Sequence, residues 1–271
     1  MNRQVFLISD GTGITISSLA QSLLSQFDDI DFKLTNIPFV NTENKANQCI
    51  DRITLACHKD KQEPIIFTTI VNENILNIIK KLHSVRLDFI QTFIDPLEKT
   101  LGVKSSHTMG RVHGMHDYEN YKRRMNAVNF SLNADDGACV SQYGQAELIL
   151  VGVSRCGKTP TSLFLALNNG VSVANYPITE EDIDSFELPK PLRAYKDKLF
   201  GLTINVVRLM AIREERKPNS RYASRRQCEK EVRAVEKLYR QEHIPWLDST
   251  NRSVEELATK ILTKLEESYF N

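Results

Sequence analysis

The segment VGVSRCGKTP, at residues 151–160, contains residues whose types and spacing suit phosphate binding. It fits the pattern G-x-x-x-x-G-K-[ST] at Gly152, Gly157, Lys158 and Thr159. In such a loop, backbone N–H groups and the positive end of the following helix surround an anion. The lysine adds a positive charge, and the hydroxyl reaches a magnesium ion. We therefore predict a nucleotide-binding segment made of these residues: Gly152, Val153, Ser154, Arg155, Cys156, Gly157, Lys158 and Thr159.

Two neighbouring carboxylates could supply the acidic group that phosphoryl transfer needs. The strand that ends in a metal-holding aspartate in many nucleotide hydrolases has no clear counterpart, and PWLDST with Asp248 is its nearest approach. Asp135 and Asp136 precede the strand that leads into the loop. One of them could take a proton from an attacking hydroxyl, and Asp135 with Thr159 could hold a metal ion. The alternative is a turn at the end of a helix, where Asp-Gly is common.

The segment HTMGRVHGMH, at residues 107–116, is rich in groups that can move protons or bind phosphate. Histidine changes its charge near neutral pH, and arginine can bind phosphate through two parallel hydrogen bonds. Arg111 and His113 are therefore catalytic candidates, with His107 and His116 beside them. The alternative is a solvated loop in which the histidines have no role.

Two further segments could bind anions. AIREERKPNSRYASRR, at residues 211–226, carries Arg213 and Arg216, which we predict to bind phosphate during phosphoryl transfer. The alternative is a basic surface that faces the solvent. SDGTG, at residues 9–13, could bind an anion at the start of a helix, but a tight connection between a strand and a helix is the favoured interpretation.

The order of predicted elements indicates an α/β protein with two parallel sheets. Up to about residue 100, four strands alternate with three helices, and LDFIQTFI at residues 87–94 is the last of these strands. We predict an N-terminal parallel-sheet α/β domain at residues 1–100 and a polar connecting segment with candidate catalytic residues at 101–145. A P-loop kinase-like α/β domain follows at residues 146–271.

Composition excludes several classes of function. The 35 Lys and Arg residues are balanced by 34 Asp and Glu residues, so a general attraction to nucleic acid is not expected. No apolar run is long enough for a membrane helix, and the N-terminus does not resemble a signal peptide. The five cysteines are scattered and form no C-x-x-C pair. We expect a cytoplasmic protein that binds neither nucleic acid nor membranes, and a homo-oligomer remains open.

Several blocks of the sequence together resemble a known bacterial family. They are VFLISDGTGIT, GRVHG, YKRRMNAVNFSLNADDG, GVSRCGKTPTSLFLALNNGVSVANYPIT and SRYAS. The family is that of the phosphoenolpyruvate synthase regulatory proteins and the related pyruvate, phosphate dikinase regulatory proteins. The similarity extends over essentially the whole chain, and the NAVNF block favours the synthase branch over the dikinase branch.

The resemblance implies a bifunctional enzyme that regulates phosphoenolpyruvate synthase. As a kinase, it would transfer the β-phosphate of ADP to a threonine of the synthase, which inactivates the synthase and leaves AMP. As a phosphorylase, it would remove that phosphate with inorganic phosphate and release pyrophosphate. Residues 152–159 would then bind ADP, with Mg²⁺ seated by Thr159 and Lys158 neutralising the transferring group. Asp135 or Asp136 would be the base, and Arg111 with His113, or Arg213 with Arg216, would bind the attacking phosphate.

Other functions remain open from the sequence. The second half alone would also suit an ATP-dependent small-molecule kinase, and a nucleotide-sensing regulator without covalent chemistry is a third possibility. Cys156 departs from the family pattern, because a small hydroxyl residue is expected at its position. Its thiol could have a lowered pKa beside the phosphate-binding amides, or it could be an inert small residue.

Overall fold

The computed structural model describes residues 2–60, 63–106, 118–185 and 187–269. The chain divides into two compact units, Met1–Met115 and His116–Asn271. Each unit contains a parallel sheet of four strands, which confirms the predicted α/β fold class. Within the described residues, no helix combines the length and the apolar character that crossing a membrane requires.

The first unit is a parallel sheet in the strand order β2-β1-β3-β4, with helices on both faces. Its strands are β1 (Asn2–Ser9), β2 (Asp31–Ile37), β3 (Ile65–Thr69) and β4 (Val85–Asp88). Its helices are α1 (Ile14–Leu24), α2 (Glu43–Asp60), α3 (Glu73–Ile79) and α4 (Phe89–Leu101). Successive side chains of β1 point to opposite faces. Phe6 and Ile8 therefore pack in the core under α2 and α3, whereas Val5 and Leu7 pack under α1.

The predicted strand at residues 87–94 is wrong beyond its first two residues. Strand β4 ends at Asp88, and the carboxylate of Asp88 accepts hydrogen bonds of 3.0 Å from the backbone N–H groups of both Ile90 and Gln91. This arrangement caps the first turn of α4. An apolar run of this length suits a strand or a helix, and the capping aspartate decides for the helix.

The second unit is a parallel sheet in the order β6-β5-β7-β8. Its strands are β5 (Leu148–Gly152), β6 (Val173–Pro177), β7 (Leu199–Thr203) and β8 (Trp246–Asp248). Its helices are α5 (Tyr118–Asn133), α6 (Lys158–Asn169), α7 (Glu180–Ser185), α8 (Val206–Arg216), α9 (Arg225–Glu242) and α10 (Val254–Tyr269). All residues of β5 and β7 are buried, as expected for parallel strands covered on both faces.

Helix α5 and the turns that follow it belong to the second unit, although they precede the strands of its sheet in the chain. A short 3-10 turn, Asp135–Gly137, follows α5, and a second one, Val140–Gln145, leads into β5. The backbone N–H of Asn175 in β6 donates a 3.2 Å hydrogen bond to the carbonyl of Ala134. The end of α5 is thereby attached to the sheet.

Candidate active site

The phosphate loop, residues 152–159, connects the buried strand β5 to helix α6. Gly157 precedes the helix with φ of 96°, in the left-handed region that disfavours residues with a side chain. A Cβ at Gly152 would collide with the carbonyl oxygen of Leu202 and would lie 2.8 Å from Sγ of Cys156. No side chain caps the N-terminus of α6. Its first N–H groups therefore have the arrangement that binds anions in glycine-rich loops.

Lys158 holds its amine inside the loop. Its Nζ atom donates hydrogen bonds of 3.1 Å to the carbonyl of Gly152 and 3.0 Å to the carbonyl of Val153. The residue is only 4% exposed. A buried ammonium group is costly unless it is paired. The two carbonyls therefore hold the amine at the position where the loop would bind a phosphate.

Thr159 contacts Asp135, which comes from the 3-10 turn after α5. The Thr159 hydroxyl donates a 2.8 Å hydrogen bond to Oδ1 of Asp135. The interpretation of the Asp-Asp-Gly segment as a turn is confirmed, and that turn places a carboxylate on the phosphate loop. The side-chain amide of Asn175 also donates to Oδ1 of Asp135.

Asp136 differs from Asp135 in its backbone conformation and in the contacts of its side chain. Its backbone is left-handed, with φ of 53°, and its N–H donates a 2.9 Å hydrogen bond to Oδ1 of Asn175. The side chain is exposed, and no hydrogen bond or ion pair joins its carboxylate to the described part of the chain. Asp135 thus contacts the phosphate loop, whereas Asp136 lines the pocket with no side-chain partner among the described residues.

A pocket of about 490 Å³ opens over the loop, within the usual range for small-ligand sites of about 300–1,000 Å³. Its lining residues are Asp135, Asp136, Ser154, Arg155, Gly157, Lys158, Thr159, Pro160 and Arg216. Arg155 and Arg216 have no ion-pair partner among the residues that the structure describes. Three cations and two carboxylates therefore surround one cavity, which suits a polyanion bound together with a divalent cation.

Arg213 lies behind the loop and does not line the pocket. It is fully buried, and its guanidinium donates hydrogen bonds of 3.3 and 3.0 Å to the carbonyl of Ser154. It also forms a 2.6 Å ion pair with Glu231. Burial alone would lower the pKa of Arg213, but the hydrogen bond and the charge of Glu231 raise it above the ordinary value. Its contacts therefore fix the backbone of the loop from below.

Tyr222 was not singled out by sequence reasoning, although its SRYAS block was. Its hydroxyl lies 2.9 Å from the Ser154 hydroxyl, and its ring stacks on the guanidinium of Arg213 at 4.1 Å. The carbonyl of Tyr222 accepts a 3.1 Å hydrogen bond from Arg213. Two arginines of the segment at residues 211–226 therefore have different environments: Arg213 is buried under the phosphate loop, whereas Arg216 lines the pocket.

Cys156 has no reactive thiolate. It is 1% exposed, and burial raises the pKa of its thiol. The hypothesis of a lowered pKa is therefore wrong, and the alternative of an inert small residue is supported. The nearby charge of Lys158 acts in the opposite direction but does not outweigh burial.

The other residues singled out in the sequence lie outside the phosphate loop and its pocket, or outside the described residues. Arg111 and His113, together with His107 and His116, lie outside the described residues. Residues 9–13 form a tight connection between β1 and α1, in which the Gly11 N–H donates a 3.1 Å hydrogen bond to the Ser9 hydroxyl. Asp248 ends the edge strand β8, and its carboxylate accepts a 2.8 Å hydrogen bond from the N–H of Thr250.

The oxygen donors of Thr159 and Asp135 fit a magnesium ion. Among the described residues, no cluster of His, Cys, Asp or Glu side chains could hold a metal ion by itself. Mg²⁺, however, is commonly bound by one or two protein groups together with the phosphates of a substrate. A hydroxyl and a carboxylate in contact at the phosphate loop match this pattern.

Taken together, a parallel α/β unit and a glycine-rich loop with adjoining lysine, threonine and aspartate form an arrangement that suits the binding of phosphate groups. The chain belongs to the kinase/pyrophosphorylase family, whose model matches residues 5–262. This result confirms the resemblance that the sequence blocks indicated.

Curated relatives align with this chain over nearly its whole length. A protein of Pseudomonas fluorescens is 51% identical over 264 residues, which cover 97% of each chain. One from Pseudomonas aeruginosa is 52% identical, covering 97% of this chain and 96% of its own. One from Hahella chejuensis is 50% identical over 262 residues, with the same coverage. Each carries the name "Putative phosphoenolpyruvate synthase regulatory protein".

Proposed function

We propose that this chain is a bifunctional serine/threonine kinase and phosphorylase that regulates phosphoenolpyruvate synthase. In one direction it uses ADP to phosphorylate a threonine of the synthase and inactivates it. In the other it uses inorganic phosphate to remove that group as pyrophosphate and restores activity. The family assignment supports kinase and pyrophosphorylase chemistry, and the names of the relatives support the synthase as the target.

The observation that carries the proposal is the contact between Thr159 and Asp135 inside a pocket rich in cations. Here one carboxylate contacts the loop hydroxyl, and a second, Asp136, lines the same cavity. This combination supplies both charge neutralisation and a proton acceptor, the two requirements of phosphoryl transfer to a hydroxyl.

In the kinase direction, the threonine hydroxyl of the target attacks the β-phosphorus of ADP. The bond between that phosphorus and the oxygen bridging to the α-phosphate breaks, and AMP leaves. Asp136 accepts the hydroxyl proton, because its carboxylate is exposed, lines the pocket and has no partner among the described residues. Lys158 and the N–H groups of the loop stabilise the charge of the transferring group. Thr159 and Asp135 would hold Mg²⁺, which would supply further charge neutralisation.

In the phosphorylase direction, an oxygen of inorganic phosphate attacks the phosphorus of phosphothreonine. The bond from phosphorus to the threonine oxygen breaks, and pyrophosphate leaves. Protonated Asp136 returns a proton to the threonine oxygen. Arg155 and Arg216 have no partner among the described residues, so they are available to bind the attacking phosphate. Arg213 is not assigned this task, because its donors are occupied by Ser154, Tyr222 and Glu231.

The test uses the full-length protein, purified phosphoenolpyruvate synthase of the same organism and ADP labelled at its β-phosphate. We expect label on a synthase threonine together with loss of synthase activity, and release of labelled pyrophosphate when inorganic phosphate is added. Lys158→Ala should abolish transfer, whereas Lys260→Ala, an exposed lysine of α10, should not.

Three results would contradict the proposal in different ways. Transfer to pyruvate, phosphate dikinase but not to the synthase would change the target. Transfer of the γ-phosphate of ATP to a small molecule would replace the reaction with that of an ordinary small-molecule kinase. Inhibition of the synthase without any gain in its mass would indicate a non-covalent regulator.

A further inference from the structure

Asn175 is a buried polar residue in the middle of an otherwise apolar strand. It is fully buried in β6, in register with Leu150 of the central strand β5. Its neighbours Val173 and Ala174 belong to the hydrophobic core. Burying an amide costs free energy unless each of its polar groups is hydrogen-bonded. The partners of Asn175 therefore indicate why an asparagine occupies this position.

All four polar groups of Asn175 are paired, and three of them hold the turn that carries the two aspartates. Its Oδ1 accepts a 2.9 Å hydrogen bond from the N–H of Asp136, and its Nδ2 donates to the carboxylate of Asp135. Its backbone N–H donates to Ala134 at 3.2 Å. The fourth group, its carbonyl, accepts a 3.1 Å hydrogen bond from the Tyr143 hydroxyl.

The two side-chain contacts fix the orientation of the amide. The N–H of Asp136 is a donor and requires the amide oxygen, whereas the carboxylate of Asp135 is an acceptor and requires the amide nitrogen. A leucine could fill the space, but it could satisfy neither group. The contact to the N–H of Asp136 also stabilises the left-handed backbone at that residue.

We propose that Asn175 is the positioning residue of the active site: it holds the Asp135 carboxylate against Thr159. Asn175 is buried and is not among the residues that line the pocket, so it acts through Asp135. This inference rests on the proposed function, because it assigns Asp135 a role in phosphoryl transfer. A residue that only fills the core would affect stability and leave the chemistry intact.

A double-mutant cycle tests the proposal. Asn175→Ala, Asp135→Asn and the double variant are compared in the labelled-ADP assay, with thermal unfolding as a check on folding. We expect Asn175→Ala to lower kcat by about 10–100-fold, as for other groups that orient a ligand of the site. The double variant should be no slower than Asp135→Asn, because residues that act through one another are not additive. The proposal would be overturned if the loss of kcat in the double variant equalled the product of the two single losses. An unchanged kcat in Asn175→Ala would overturn it as well.

Two further variants separate positioning from stability. Tyr143→Phe removes the hydrogen bond to the carbonyl of Asn175 and leaves the contacts to both aspartates, so it should lower the unfolding temperature without lowering kcat. If Asn175→Ala does not fold, Asn175→Ser replaces it in the cycle, since its volume is small and its hydroxyl can satisfy only one aspartate. If Tyr143→Phe lowered kcat as much as the Asn175 variant does, the loss of kcat would come from reduced stability and not from positioning.

Binding of Mn²⁺ in the presence of ADP, followed by electron paramagnetic resonance, gives a readout that does not depend on turnover. Asn175→Ala and Asp135→Asn should weaken Mn²⁺ binding to a similar extent, and the double variant no further. If the wild-type protein transfers no label, the proposed function fails, and this measurement still decides the role of Asn175. Unchanged Mn²⁺ affinity in Asn175→Ala together with weakened affinity in Asp135→Asn would refute it.

Discussion

The hydroxyl of Thr159 and the carboxylate of Asp135 are joined by a 2.8 Å hydrogen bond across a sequence separation of 24 residues. Thr159 belongs to the phosphate loop, whereas Asp135 belongs to a turn that precedes the strand leading into the loop. The carboxylate reaches the loop from the side of β6, through Asn175. The other neighbour of β5 is β7, and β7 ends in Thr203 without contributing an aspartate. The acidic group of this site therefore comes from outside the sheet.

The hydroxyl of Thr159 should be essential and its methyl group dispensable. Thr159→Val keeps the shape but removes the group that contacts Asp135 and would bind Mg²⁺, so we expect transfer to fall on the order of 100-fold. Thr159→Ser keeps the hydroxyl and should retain most of the activity. Rates with labelled ADP, measured over a range of Mg²⁺ concentrations, check this prediction. Equal activity in the Val and Ser variants would exclude Thr159 from metal binding.

The two aspartates should have separable roles. Asp136→Asn removes the exposed carboxylate and should lower kcat by about 10²–10⁴-fold, as expected for loss of a general base, without weakening Mn²⁺ binding. Asp135→Asn should weaken Mn²⁺ binding, because its carboxylate contacts Thr159. Single-turnover rates and Mn²⁺ affinity, measured on both variants, distinguish the two roles. If both reactions proceed normally in Asp136→Asn, the base lies elsewhere.

Arg213 should contribute to stability more than to ligand binding. Arg213→Met leaves Glu231 buried without its partner, so we expect the second unit to lose about 3–5 kcal/mol of unfolding free energy. Replacing both Arg213 and Glu231 by Met should cost less, since no unpaired charge remains buried. Chemical denaturation of the three variants measures this difference. A stable Arg213→Met protein that has only lost ADP affinity would return Arg213 to the list of phosphate-binding residues.

Arg216 should bind phosphate directly. Arg216→Gln removes a pocket cation that has no ion-pair partner among the described residues. It should raise the KM for both ADP and inorganic phosphate by about tenfold, equivalent to about 1.4 kcal/mol. Arg226→Gln is the matched control, because Arg226 is exposed and does not line the pocket but carries the same charge. Steady-state kinetics in both directions checks the prediction. An equal rise in KM for the two variants would indicate a general effect of charge.

Cys156 should be inert in the folded protein. The pKa of a free thiol is about 8.5, so near pH 9 an exposed cysteine is largely ionised and reacts quickly with iodoacetamide. Burial raises the pKa of Cys156, which therefore stays protonated and inaccessible at that pH. Peptide mass spectrometry after labelling at pH 9 should find Cys156 unmodified in native protein and modified in denaturant. Rapid labelling of the native protein would restore the hypothesis of a reactive thiol.

Much of the fold was predictable because its signals are local. Apolar runs followed by small-residue turns gave the strands, and helical spacing gave the helices on either side. Residues 87–94 were one exception, because an apolar run of this length suits either element. Only the capping contact of Asp88 with Ile90 and Gln91 decides the outcome.

The residues of the candidate site could be predicted where they are contiguous in the sequence. They could not be predicted where their role depends on a contact with a residue distant along the chain. Asn175 could have been noticed as a polar residue within VSVANYPI, but its partners could not have been named. Arg213 and Arg216 look equivalent in the sequence, three positions apart on one helix. One is buried under the phosphate loop and the other lines the pocket.

The sequence by itself determined the phosphate loop, the two parallel α/β units and the family of the chain, since each depends on residues that are adjacent or regularly spaced. The tertiary structure decided which charged groups are free and which are occupied. Asp135 and Asp136 are neighbours of the same type, yet one is bound to Thr159 and Asn175 while the other faces the pocket. Burial and hydrogen-bond partners make that difference, and both arise from residues that are distant along the chain.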